Sequence, residues 1–417
     1  MFINLNVIAC TRLVLVFLES SLRQAFVMPR QGGSEYLFLS LQVLNRNDID
    51  AVDRYNHKYL FLFFGFLAIS TAFYGYFHDP IHCWTPAQFP SGWVNYTKTI
   101  CWITNTRYVP MDETDIDQAP KRDIIYYQWV PLLFALQALM FTIPANFWSA
   151  INGSIGINMH KIVKLCGDIE YLGERHQDIR YIAKLFNRVL LYTKIIKPNT
   201  RCGRLRYMLA KVACFWGKRH GNYLVIVYLL VKLLYIGNVV LQLYLLNQVL
   251  GTDYWLYGAE ALYDVVKTGT HQESYRFPRV ALCDFDIRSL GNKIHKYTVQ
   301  CLLHINVFNE RIFIVVWFCL IVIGLANVLT TISWMWMLFA TDRRRFLKRS
   351  LIESELYDQH NDKIKLTEFS NKYLRMDGYF ILQMVEKNTK DVVANEIIER
   401  LWVQRPHPYE STERRDV

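Results

Sequence analysis

Four stretches of this 417-residue chain carry no charge or almost none, and they constrain its fold more than any other feature. Between Lys58 and His78 runs "YLFLFFGFLAISTAFYGYF". Between Asp123 and His160 there is no charge, with the apolar part running from about Tyr126 to Trp148. From Tyr223 to Leu250 the only charge is Lys232, and from Ile312 to Thr341 there is none. A helix needs about 20 apolar residues to cross a ~30 Å hydrocarbon core, and each run is near or above that length. One such run could be a buried helix of a soluble domain. Four, separated by long polar loops, hardly could. The expected fold is an all-α membrane protein with four transmembrane helices per subunit, at 58–77, 126–149, 223–250 and 312–340.

Charge then sets the sidedness. The loop 150–222 holds fourteen Lys and Arg against the four acids Asp168, Glu170, Glu174 and Asp178. The loop 78–125 holds four, Lys98, Arg107, Lys121 and Arg122, against six acids, and "DRRRFLKR" directly follows the fourth span. Positive residues near span ends stay cytoplasmic. Both termini, the loop 150–222 and the tail 341–417 are therefore expected inside, with 78–125 and 251–311 outside. The net charge of +11 is thus a topology signal. A nucleic-acid role would need basic residues on a folded soluble face, and none stands out.

The nine cysteines divide by side. Cys83 and Cys101 fall in the first outer loop, Cys283 and Cys301 in the second, and both pairs read C-x17-C. Cys10, Cys166, Cys202 and Cys214 lie on the reducing side, and Cys319 lies in the fourth span. Four outer cysteines allow three pairings. Disulfide-linked extracellular loops are expected, and a bridge between the loops would fuse them into one compact outer cap. Neither pair has the close spacing of zinc ligands.

At the threshold of the second span stands Tyr126-Tyr127-Gln128-Trp129-Val130-Pro131. Tyr and Trp favour the headgroup level, so these aromatics mark the outer membrane interface. Pro131 falls in the first helical turns, where a missing N–H is tolerated, and Pro144 should kink the helix near its inner end. Asn95-Tyr96-Thr97 reads as a glycosylation acceptor on the outer side, whereas Asn152-Gly153-Ser154 lies inside and carries no such meaning. His78 and His82 imitate a metal-binding HxxxH pair, but Pro80 between them opposes the helical turn that would align them. Lys232 sits near the inner end of its span and is expected to snorkel to the headgroups. No phosphate-binding loop, dinucleotide fingerprint, nucleophile elbow or intramembrane acid pair is present. Neither an enzyme nor a cofactor or metal is implied.

On the inner side, Ile162, Leu165, Ile169 and Leu172, then Ile182, Leu185, Val189 and Leu190, recur at helical spacing. The tail repeats the style in "TEFSNKYLRMDGYFILQMVEKN" and "DVVANEIIERLW", with Asp391 placed to cap the last helix. A cytoplasmic helical layer is expected, ending in a disordered "RPHPYESTERRDV". Residues 34–57 form a short apolar segment and an acidic turn. Residues 1–33 are an atypical extension, with "VIACTRLVLVFL" a weak signal-peptide core interrupted by Arg12.

The motif Tyr126–Pro131 resembles the signature of the innexins, the gap-junction proteins of invertebrates and relatives of the pannexins. "DRYNHKY" before the first span, "PIHCWTPAQF" after it, "CWITNTRYVP" ahead of the motif and two cysteines per outer loop are similar too. The resemblance covers about Ser34 to Trp402. Connexins share the topology but carry three cysteines per outer loop. The resemblance implies a plasma-membrane hemichannel of eight innexin subunits, alike or mixed, around an axial pore. It docks through its outer loops onto a hemichannel of the adjoining cell and passes ions and small solutes. It further implies bridges Cys83–Cys301 and Cys101–Cys283, and a pore-narrowing N-terminal helix at roughly Ser34–Leu44. Family members begin near this chain's Met28, so the residues before it are a departure. The alternative is an undocked hemichannel that releases small solutes. A secondary transporter would need internal repeats and broken midplane helices, which are not visible.

Overall fold

The computed structural model describes residues 48–104, 106–109, 122–154, 159–168, 175–192, 221–251, 254–268, 276–288, 294–337, 340–358, 362–389 and 391–404. The segment 34–44, the extension 1–33, the end of the tail and Cys10, Cys202 and Cys214 lie outside them.

Four helices are long and apolar enough to cross a membrane. The first, α1 (Ala51–Phe77), begins well before the charge-free run does. Asp50 caps it, accepting a hydrogen bond from Ala51 N–H at 2.8 Å, and the charges of its first turn find partners inside the protein. Its Tyr55–Leu60 turn is a π-helix, a widened turn that re-aims the buried Asn56 and His57. After β1 (Ile81–Trp84), α2 (Ser91–Ile103), β2 (Thr106–Tyr108) and β3 (Arg122–Ile124), a 3₁₀ turn (Tyr126–Gln128) leads into the second span, α3 (Val130–Ser154). Pro131 is its second residue, where no N–H is needed, and Pro144 lies inside the unbroken helix.

On the far side of the membrane, α4 (Met159–Asp168) and α5 (Arg175–Tyr192) precede the third span, α6 (Tyr223–Leu250). Gly251, in the left-handed conformation at φ 61°, ends α6. A 3₁₀ turn (Tyr254–Leu256), α7 (Tyr257–Thr268), β4 (Val280–Arg288) and β5 (Ile294–Leu303) follow. The fourth span, α8 (His304–Met337), then returns the chain to α9 (Ala340–Glu353), α10 (Lys363–Glu368), α11 (Arg375–Asn388) and α12 (Asp391–Val403).

The helices form two cores. One joins one set of span ends to the loop and tail helices: Trp148 of α3, Tyr228 of α6, Trp334 of α8 and Phe380 of α11 pack ring against ring, with centroids 5.0–6.3 Å apart. The other joins the opposite span ends to both disulfide-bearing loops, with Phe64, Phe134 and Phe313 of the spans packed among Ile81 and Ile124 of one loop and Phe277 of the other. The loop helices and the tail helices therefore lie on one side, and the two cysteine-bearing loops on the other.

The fold is mostly helical, and the cysteine-bearing loops add a five-stranded antiparallel sheet that the sequence reading did not include. Its order is β1-β5-β4-β2-β3, so each loop contributes strands to one shared layer. In β4 the buried Ala281, Cys283 and Phe285 alternate with the exposed Asp284, Asp286 and Arg288, the period-2 pattern of a sheet with one covered face.

Candidate functional site

Three constructions tie the spans to the domains at their ends. The first is the stapled sheet. Cys83 and Cys301 are register partners on β1 and β5 and are disulfide-bonded; the other bridge joins Cys101 of α2 to Cys283 of β4. Cys83, Cys101, Cys283 and Cys301 are all buried. The sulfurs of Cys83, Cys101 and Cys301 lie within 4.8 Å of one another, so the two bridges are neighbours. They close sequence separations of 218 and 182 residues, and such links typically stabilise by about 2–4 kcal/mol each. Arg107 of β2 donates to Asp284 of β4, which also accepts from Thr298 of β5 at 2.7 Å, so one carboxylate pins three strands. His78 follows the last turn of α1 and His82 lies in β1; both are exposed, and no shared helical turn aligns them.

The second construction is the corner at residues 126–131. Only Trp129, 56% exposed, has the free surface of an interfacial aromatic; Tyr126 and Tyr127 are buried. That corrects the expectation of a headgroup belt, and the reason lies in helix-end chemistry. The last carbonyls of a helix lack intrahelical donors. Gln128 Nε2 donates to the carbonyl oxygens of Trp102 and Ile103 at the end of α2, and Tyr127 O–H donates to Trp102 at 3.4 Å. Tyr126 O–H donates to the Arg276 carbonyl at 3.2 Å. The turn thus holds one cysteine-bearing loop with two residues and the other loop with a third. Val130 is buried beneath it, and Pro131 opens the span.

The third construction, at the span ends that carry the loop and tail helices, was not read from sequence. Lys232 is fully buried: its Nζ is 2.8 Å from Asp53 Oδ1 and 3.3 Å from Asp50 Oδ2. The expectation that it snorkels is overturned, because two carboxylates from α1 and its cap reach it inside the protein. Tyr228 O–H donates to Asp53 at 2.7 Å, and Trp334 Nε1 donates to Asp50 at 3.1 Å. Burial pushes Asp50 up, but Lys232 and Lys387, together with the hydrogen bonds from Trp334 and Ala51, outweigh it and hold the carboxyl below its usual range. From α11, Lys387 stands over the Trp334 ring at 4.3 Å, and Asn388 accepts from Arg54 at 2.7 Å. Just upstream, Asp48 is buried against Asn152 of α3 and His160 of α4. Residues 48–54, the cap and first turn of α1, are therefore gripped by all three other spans, by α4 and by the tail.

Two further contacts belong to this region. Asn56 and Asn327, both fully buried, exchange amide hydrogen bonds at 2.8 and 3.2 Å and join α1 to α8. Such side-chain amide pairs are worth most where no water competes. Asp377 of α11 accepts from Leu224 and Val225 N–H at 3.1 and 3.3 Å, both on Oδ1, and so caps the N-terminus of α6. Burial pushes its carboxyl up to about 6, against those same N–H bonds.

A four-span chain whose paired loops are covalently joined on one face, and whose loop and tail helices pack together on the other, has the build of a multi-pass channel subunit. Sequence comparison gives the family. The innexin profile matches residues 49–405. Innexin-3 of Caenorhabditis elegans is 31% identical over 357 residues, covering 85% of this chain and 83% of that one. Innexin unc-9 of the same organism is 32% identical over 361 residues, covering 85% and 92%. The chain belongs to the innexin family of gap-junction channel subunits, oligomeric membrane channels rather than enzymes.

Proposed function

We propose that the chain is one of eight subunits of a hemichannel that docks, through its disulfide-stapled domain, onto a hemichannel in the adjoining cell and passes ions and small solutes between the two. The observation that carries this reading is the shared sheet. Two separate loops, closed by Cys83–Cys301 and Cys101–Cys283, make one domain at the outer ends of the spans, and a rigid face suits docking better than two mobile loops do. In this orientation the disulfides face the oxidising exterior, and both termini and the basic loop face the cytoplasm.

Recording from paired cells tests the reading. Cells expressing the full chain should show junctional current and exchange of small dyes without saturation, and apposed cells that stay uncoupled would contradict it. A hemichannel that works undocked is the second reading, favoured by Asn95, which is exposed on α2 of the stapled domain. A glycan there obstructs docking, so Asn95→Gln should raise junctional current. An unchanged gel mobility after deglycosylation would remove this second reading.

A further inference from the structure

Helix α7 connects no strands of the sheet and crosses nothing, yet its surface is divided into three sectors. Successive residues turn by about 100° around a helix axis. Tyr257, Gly258 and Ala261 fall on one side and are buried against the protein. Glu260, Asp264 and Lys267 fall on a second, polar side, where Glu260 pairs with Arg276 at 2.8 Å. The remaining arc, roughly a third of the circumference, holds Leu256, Ala259, Leu262, Tyr263 and Val266. It is apolar and uncovered, with Leu256 63%, Leu262 54%, Tyr263 62% and Val266 79% exposed.

The depth of the helix is fixed by the fourth span. Tyr254 O–H donates to the Phe313 carbonyl at 2.6 Å, and Trp317 Nε1 donates to the Trp255 carbonyl at 3.0 Å. The approach is close enough that a Cβ on Gly258 would collide with the Trp317 ring. Phe313 lies in the first turn and Trp317 in the second turn of the charge-free run of α8, where that span enters the bilayer. Val315 and Phe318, interleaved with them on α8, are exposed and apolar as well. The apolar arc of α7 is thus at the level where the span itself meets lipid.

We propose that α7 is an interfacial helix lying in the bilayer leaflet on the disulfide side, with Leu262, Tyr263 and Val266 among acyl chains and Glu260 and Lys267 at the headgroups. Three solvents explain three sectors: protein, hydrocarbon and water. Amphipathic helices lie in this way at bilayer interfaces, and Lys267, 5.5 Å from the Tyr263 ring, has the headgroup-level position that basic residues take there. The helix fixes the vertical position of the stapled domain, because it packs on the side of α8 and the Tyr254–Leu256 turn before it is held to the end of α6, where Tyr254 N–H donates to Asn247 at 2.7 Å.

A photoreactive benzoylphenylalanine at position 266 of the full chain, irradiated in intact cell membranes, tests this. The expected product is the monomer carrying a phospholipid mass, with the same probe at 260 giving several-fold less of it. A cross-linked dimer as the main product at 266 would assign the arc to a neighbouring copy, and no adduct would assign it to water; either overturns the proposal. Position 262 carries the probe if the 266 variant does not reach the membrane. As a second readout, Val266→Glu should lower the surface yield several-fold while Val266→Leu keeps it, and equal yields would also count against the proposal.

Discussion

The two ends of the membrane bundle are held by opposite chemistry. On the disulfide side, two covalent bridges, strand ladders and side-chain donors on helix-end carbonyls close one domain, with Arg107 and Asp284 as its chief internal ion pair. On the other side, Asp50, Asp53, Lys232, Lys387 and Arg54 bind the entrance of α1 to the other spans and the tail, with no covalent link among them. The first end loosens by reduction, the second by losing or gaining a charge. That difference assigns rigidity to the disulfide-stapled face and adjustability to the end where residues 48–54 meet the loop and tail helices.

The largest effect is expected from breaking a bridge. Cys283→Ser strands Cys101, frees α2 from β4 and removes about 2–4 kcal/mol of constraint. Junctional current in paired cells should be abolished, and normal conductance would contradict the role given to the bridge. Next comes the inner anchor. Lys232→Met leaves the buried Asp53 without its paired cation and Asp50 with Lys387 alone, and breaking such a pair costs about 3–5 kcal/mol. Asp53→Asn is milder, since Asp50 still pairs with Lys232. Thermal unfolding of the detergent-solubilised oligomer should rank wild type above Asp53→Asn above Lys232→Met, and a neutral Lys232→Met would show that the anchor holds nothing.

The smallest effect concerns Asp377. Its carboxyl is raised to about 6 in the folded state, so the protonated form is favoured there. The resulting stability is fully present below the unfolded value near 4 and is lost as pH rises through about 6. Protonation on Oδ2 leaves both N–H bonds on Oδ1 intact. Wild-type protein should therefore gain about 1–3 °C in Tm between pH 7 and pH 5 relative to Asp377→Asn, which keeps an acceptor oxygen at every pH. Equal pH dependence in both proteins would exclude Asp377 as the source.

The spans were legible because a bilayer requires unbroken apolar length, which one sequence displays directly. The grouping of Cys83, Cys101, Cys283 and Cys301 was legible from compartment alone. The sheet was readable but unread: "VALCDFDIR" and "IHKYTVQCLL" alternate with period 2, a signal overshadowed by the helical runs around them. The order of residues in Tyr126-Tyr127-Gln128 became intelligible only with the carbonyls of Trp102, Ile103 and Arg276 in place. Lys232 was misread for a deeper reason. Its partners lie 179 and 182 positions away, and no local pattern records a contact at that distance.

Hydrogen exchange on the full-length protein in lipid nanodiscs, before and after reduction of the disulfides, compares the two ends in one measurement. Reduction should strip protection from β4, β5 and the Tyr126–Val130 turn, and leave the amides of residues 50–54 and 228–232 as slow as before. Unchanged protection of the strands, or equal loss at both ends, would show that the bridges do not set the rigidity of the stapled face.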